Sequence, residues 1–161
     1  SEIVTQLEKF PTELVEVTGG EPLLYPLVHT LIGKLLDSGK EVLIETGGSL
    51  DIQQVDPRAV LIYDIKCPDS LMDRRNRWEN LAQLRPQDEI KFVISSWRDY
   101  QWAKEKILKL KLVNKNRVLM SPVWNHMEAG QLARWVLKDG LPVRIQVQLH
   151  KILWGAETRG V

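Results

Sequence analysis

The sequence predicts a parallel α/β protein, a sheet with helices packed outside it, either open or curled into a barrel. Short apolar runs enriched in β-branched residues recur roughly 20 to 30 residues apart, and stretches of helical period separate them. Polar side chains gather where the apolar runs stop, which in such architectures is the rim that binds ligands.

Taken in order, the strand candidates are residues 14–17, 42–44, 60–65, 90–94, 118–120 and 143–149. Between the first two, Leu24, Leu27, Val28, Leu31 and Leu35 share a helical face that Gly39 closes. A second helix is expected from Leu71, Trp78, Leu81 and Leu84 after a cap at Ser70, and a third from Tyr100, Ala103, Ile107 and Leu110 after Asp99. The last is marked by Leu132, Trp135 and Val136 and stopped by Gly140. The final strand has the cleanest pattern: Val143, Ile145, Val147 and Leu149 alternate with Arg144, Gln146, Gln148 and His150. A half-buried edge strand with its polar face in water explains that alternation, and so does a ligand cavity faced by His150 and the glutamines.

With 161 residues and 43% hydrophobic content, the chain reads as one domain over 1–161. Twenty-two basic and 21 acidic side chains leave a net charge of +1, too weak a field to predict binding to nucleic acid or an anionic membrane. No apolar run approaches the roughly 20 residues of a bilayer-crossing helix, so a soluble, cytoplasmic protein is expected. Cys67 is the single cysteine, which excludes an internal disulfide and a metal site built from several thiolates of this chain. The chain opens on Ser1 within a helix-like segment, as the remainder of a longer protein would.

The stretch LVEVTGGEPLLYP, residues 14–26, ends its strand in Thr18, Gly19, Gly20 and Glu21. Glycines let a ligand approach the backbone closely, and the carboxylate that follows offers a partner for a cation. That pairing suits a zwitterion such as an amino acid better than a phosphate, whose loops want more glycines and a lysine. A plain strand-to-helix turn with Pro22 in its first turn explains the same letters. The other strands end in Glu45, Thr46, Gly47, Gly48 and Ser49, in Asp64 and Lys66, in Ser95 and Ser96, and in Ser121 and Pro122. By the two-residue period Glu16, Thr18 and Gly20 point together, and so do Asp64 and Lys66. A structural ion pair accounts for Asp64 and Lys66 as readily as a ligand site does.

Several stretches together carry a resemblance. VEVTGGEPLLYP resembles the Gly-Gly-Glu-Pro motif of radical S-adenosylmethionine enzymes. EVLIETGGSLDI, YDIKCPDS, WENLAQLRPQDEIKFVIS, DYQWA, VLMSPV, LPVRIQVQLHKILWG and the terminal RGV resemble 7-carboxy-7-deazaguanine synthase nearly end to end. The resemblance implies a partial, open parallel α/β barrel of the radical S-adenosylmethionine type. It implies a carbon–nitrogen lyase of queuosine biosynthesis that converts 6-carboxy-5,6,7,8-tetrahydropterin to 7-carboxy-7-deazaguanine, using S-adenosylmethionine, a 4Fe-4S cluster and magnesium. It also implies a homodimer and a reducing partner such as flavodoxin. Carried onto matching positions, Gly19, Gly20 and Glu21 hold the methionyl amino group, Thr46 and Gly47 its surroundings, and Asp64 and Lys66 polar parts of the same cofactor. Ser121, Pro122, Val123 and Trp124 line its ribose or adenine side, while Thr18, His150 and the carboxylate of Val161 contact the pterin.

The family's three-cysteine cluster loop, its first strand and its magnesium-contacting residue belong upstream of Gly19 and have no counterpart among these letters. Cys67 cannot replace three thiolates. The resemblance therefore implies an N-terminally shortened member, unable by itself to form the radical. The alternative is a non-catalytic α/β domain that keeps an adenosyl or pterin pocket or serves as a dimer partner. An ordinary nucleotide-binding α/β protein is a more distant one.

Overall fold

The computed structural model describes residues 2–158; Val161, expected to reach the substrate, lies outside them. In chain order come α1 (Glu2–Leu7), β1 (Leu14–Val17), α2 (Leu27–Asp37), β2 (Glu41–Thr46), β3 (Val60–Ile65), α3 (Asn80–Gln83) and β4 (Glu89–Ile94). They are followed by α4 (Trp97–Lys109), β5 (Arg117–Pro122), α5 (Ala129–Asp139), β6 (Arg144–Ile145) and α6 (Leu149–Trp154). The strands form one sheet in the order β1-β2-β3-β4-β5-β6, every neighbouring pair parallel. Parallel neighbours need a crossover after each strand, and α2, α4 and α5 supply three of these. The other two are the 47–59 loop and a stretch of short turns that ends in α3. Since β1 and β6 do not pair, the sheet is open.

Register assigns the faces. The rows Val17–Ile44–Leu61, Thr46–Tyr63–Ile90–Val118 and Ile65–Phe92–Met120–Ile145 run across one side. Against them pack Ile32 and Leu35 of α2, Tyr100, Ala103 and Ile107 of α4, and Leu132 and Val136 of α5, all buried. Each fully buried aliphatic or aromatic side chain contributes roughly 1.5–3 kcal/mol, so this layer is the main source of stability. The opposite side carries Glu16, Glu45, Asp64 and Lys91 among Leu43, Ile62 and Leu119. Charged groups on a sheet face mark a surface that does not serve as hydrophobic core.

Two expected elements differ from the structure. The helix predicted after Ser70 is broken into the 3-10 turns Pro68–Ser70 and Asp73–Arg75, and only Asn80–Gln83 is α-helical. Side chains hold this backbone elsewhere: Asn76 accepts from Lys66 N–H at 2.9 Å and donates to Lys66 O at 2.8 Å, and the Tyr63 hydroxyl lies 2.8 Å from Arg77 O. Such bonds compete with the helical ladder. The strand predicted over 143–149 pairs only at Arg144–Ile145, after which Gln146 N–H makes one more bond, to Met120 O. As an edge segment with one neighbour it has nothing to pair its outer side, and LHKILW continues as α6. His150 therefore sits exposed on a helix and not on a polar strand face, a correction to the sequence-based expectation.

Smaller differences are local. The α4 cap is Ser96, whose side chain accepts from Asp99 N–H, and not Asp99 itself. Asp99 is buried within the first turn, where its carboxylate accepts from Ser95 N–H, Ser95 hydroxyl and Asp69 N–H.

Candidate functional site at the carboxyl rim

At the end of β1, Gly19 (φ +94°) and Gly20 (φ +32°) take left-handed conformations that turn the chain toward Glu21. Glu21 then caps the Pro22–Leu24 turn by accepting from Leu23 N–H at 3.2 Å. Its carboxylate also accepts from the Thr46 hydroxyl at 2.9 Å and from Gly47 N–H at 2.8 Å. The turn after β1 is thereby tied to the end of β2. A Cβ at Gly47 would lie 3.3 Å from Glu21 Oε2 and 3.4 Å from Lys66 Cε, so the residue fills a close approach between the two charged side chains.

From the end of β3, Lys66 Nζ reaches Asp64 Oδ2 at 2.5 Å. Asp64 is 5% exposed, yet its other oxygen, Oδ1, has no hydrogen-bond partner among the described residues. A buried carboxylate oxygen left unpaired is costly, and such an atom beside a cavity marks a place for a donor from outside the protein. Burial raises the Asp64 carboxyl above its ordinary value, opposed chiefly by Lys66 and then Lys91. Asp64 and Lys66 line a cavity of about 400 Å³ with Ser95, Asp99, Val123 and His126. His126 also borders a second hollow of similar size, lined by Pro122, Trp124, Val147, Gln148 and Ile152. Ser121, 3% exposed and next to last in β5, lies on the charged side of the sheet, in the row of Val93.

Six expected residues thus meet across the ends of β1, β2, β3 and β5: Glu21, Thr46, Gly47, Asp64, Lys66 and Val123, with Gly19 and Gly20 shaping the turn. Pro122 and Trp124 border the adjoining hollow. Thr18 lines another cavity, of about 590 Å³, together with Gly19, Gly20, Ile3 and Leu31. His150 lines neither rim cavity. Its neighbour Lys151 reaches back instead, with Nζ 5.9 Å from the Trp124 ring centroid.

The sequence reading missed Lys91, whose ammonium pairs with Glu45 at 2.6 Å on the charged side of the sheet. Partial loss of water, and next the Glu45 carboxylate, raise the Glu16 carboxyl, while Lys91 opposes. A single lysine at a position alternating with the apolar Ile90, Phe92 and Ile94 of β4 was the signal that could have found it. Asp99, from which the helix was expected to start, is a brace between the β3 and β4 ends. Among the described residues no group of three or more His, Cys, Asp or Glu side chains is placed to hold a metal. No helix among the described residues is long and apolar enough to cross a membrane.

This open parallel α/β sheet, with its candidate site residues at the carboxyl ends of the strands, is an architecture of the radical S-adenosylmethionine type. Solved structures bear the fold out: QueE from Escherichia coli superposes with a TM-score of 0.69 at 19% identity, over 91% of this chain and 61% of that one. Streptococcus suis SuiB gives 0.59 at 12% identity, over 99% of this chain and 45% of that one. Comparison with protein-family models finds no match. Among curated proteins, 7-carboxy-7-deazaguanine synthase of Chlorobaculum tepidum is 43% identical over 163 residues, 99% of this chain and 74% of the relative. The synthase of Koribacter versatilis is 42% identical over 175 residues, covering 99% and 77%. The chain belongs to the 7-carboxy-7-deazaguanine synthase family. It spans about three quarters of the length of these curated relatives and less than two thirds of the solved QueE chain.

Proposed function

We propose that the chain forms the S-adenosylmethionine- and pterin-binding part of a 7-carboxy-7-deazaguanine synthase, an enzyme that makes 7-carboxy-7-deazaguanine from 6-carboxy-5,6,7,8-tetrahydropterin. The observation that carries the reading is the gathering of Glu21, Gly47, Lys66 and Asp64 at the rim, where Asp64 and Lys66 line a cavity and the buried Asp64 Oδ1 has no partner among the described residues. An acceptor there suits the hydroxyl or ammonium donors of S-adenosylmethionine, and the Glu21 carboxylate retains capacity for one more donor. S-Adenosylmethionine, when bound and reduced, supplies the radical that starts ring contraction. The protein's part is to orient both molecules and exclude water: Glu21 and Gly47 fix the methionyl end, Asp64 and Lys66 the polar groups beyond it, and Val123 and Trp124 the adenosyl side. The Glu45–Lys91 pair on the charged side offers an acceptor and a donor to a flat, hydrogen-bonding ring such as a pterin.

A 4Fe-4S cluster does not fit the residues present. Cys67 is the one thiol, it is buried, and burial pushes its pKa well up, whereas a cluster needs three accessible thiolates. Magnesium, a homodimer and a flavodoxin-like reductant accompany the family reading. Calorimetric titration with S-adenosylmethionine tests the site: saturable binding weakened by Asp64→Ala is expected, and the absence of heat at millimolar ligand would overturn the assignment.

A further inference from the structure

At the opposite end of the strands from the rim, a cavity of about 580 Å³ opens between the Trp78–Leu81 segment and the end of α4. Trp78, Leu81, Ile90, Leu110 and Leu112 make its apolar wall. Its cations are Lys106, Lys109, Lys111 and Lys115, and no carboxylate lines it. In a chain of net charge +1 that is a strong local imbalance. Of the neighbouring acids, Glu89 pairs with Arg117, while Glu79 and Glu105, adjacent in sequence to Trp78 and Lys106, are exposed and line no part of the cavity. Lys106 lies over the Trp78 and Trp102 rings, at 5.7 and 5.4 Å from their centroids. Lys109, Lys111 and Lys115 are exposed and form no ion pair among the described residues. The helix dipole accounts for Lys106 and Lys109 in the last turn of α4. It does not account for Lys111 or Lys115, which lie beyond the helix end; Lys111 is held at φ +53°, a left-handed conformation that lysine seldom adopts.

We propose that this cavity binds a nucleoside polyphosphate, its base against the Trp78 and Leu81 wall and its phosphates among Lys109, Lys111 and Lys115. The volume falls within the range of about 300–1,000 Å³ usual for small-ligand sites. A bare phosphate would leave the apolar wall unused, and an apolar ligand would leave three ammonium groups crowded without a counter-charge. No glycine loop takes part; lysines meet the phosphates as point charges. The site is separate from the rim and does not depend on the function proposed there.

The test titrates the full chain with ATP, tripolyphosphate, adenosine and a glutamate-rich peptide, following amide shifts by NMR. ATP is expected to bind best, with shifts around residues 78–82 and 106–116. The triple variant Lys109→Glu, Lys111→Glu, Lys115→Glu should weaken ATP about tenfold or more, by loss and reversal of charge. Trp78→Leu should weaken ATP while leaving tripolyphosphate unchanged, provided its thermal melt shows it folded; the lysine variant, altered only at exposed positions, stands without it. Equal affinity for tripolyphosphate and ATP would overturn the proposal, as would binding of the acidic peptide alone or no ATP shifts at millimolar concentration. S-Adenosylmethionine titrated against the lysine variant should bind as before, so that failure at this cavity and failure at the rim are read separately.

Discussion

Glu21 commits three of the roughly four lone-pair positions of its carboxylate inside the protein, to Leu23 N–H, Gly47 N–H and the Thr46 hydroxyl. It is therefore a strut between the first two strand ends as well as a candidate ligand. Glu21→Ala in a full-length family member should weaken S-adenosylmethionine binding and also cost about 1–3 kcal/mol of stability, because Thr46 and Gly47 lose their acceptor. A lower melting temperature with an unchanged dissociation constant would leave Glu21 the strut alone. Asp64 makes a pH-dependent prediction. Its raised folded pKa means that the ionised form is disfavoured in the fold relative to the unfolded chain. The stability it contributes is complete below the ordinary carboxylate value and declines as pH rises through the elevated folded value. Asp64→Asn should therefore melt higher than the parent near neutral pH, with an advantage that fades as pH falls toward the ordinary carboxylate range. A difference independent of pH would contradict this.

At the level of elements, strand positions were legible because buried parallel strands show as continuous apolar runs: residues 60–65 and 14–17 match β3 and β1. The pattern at 143–149 misled because alternation reports a preference for two unlike faces, while a strand also needs a neighbour to pair with. Capping is testable here. Ser96→Ala should destabilise α4 by about 1 kcal/mol, measured by chemical denaturation, since Asp99 N–H loses its acceptor. Gly48 is more constrained: at φ +71°, a Cβ would also fall 2.7 Å from the Tyr63 ring. Gly48→Ala should cost about 2–3 kcal/mol or more by strain and displacement of Tyr63, whose hydroxyl also accepts from Asn80. A loss below about 1 kcal/mol would mean that the Tyr63 ring yields easily.

For the whole molecule, a chain with one buried thiol should show no 4Fe-4S absorption after anaerobic reconstitution with iron and sulfide; a band at full occupancy would overturn the ligand count. The sequence by itself determined the alternation of strands and helices, the polar strand ends and the family motifs, because these are local or short-period properties of the chain. It marked Glu21, Thr46, Asp64 and Lys66 as rim residues. Only the tertiary structure decided that these four converge while His150 lines neither rim cavity, that Asp64 keeps a buried oxygen unpaired, and that Glu45 meets Lys91 across 46 residues of chain. Those outcomes depend on strand order and register, which bring distant residues within hydrogen-bond reach and leave no trace in the spacing of letters.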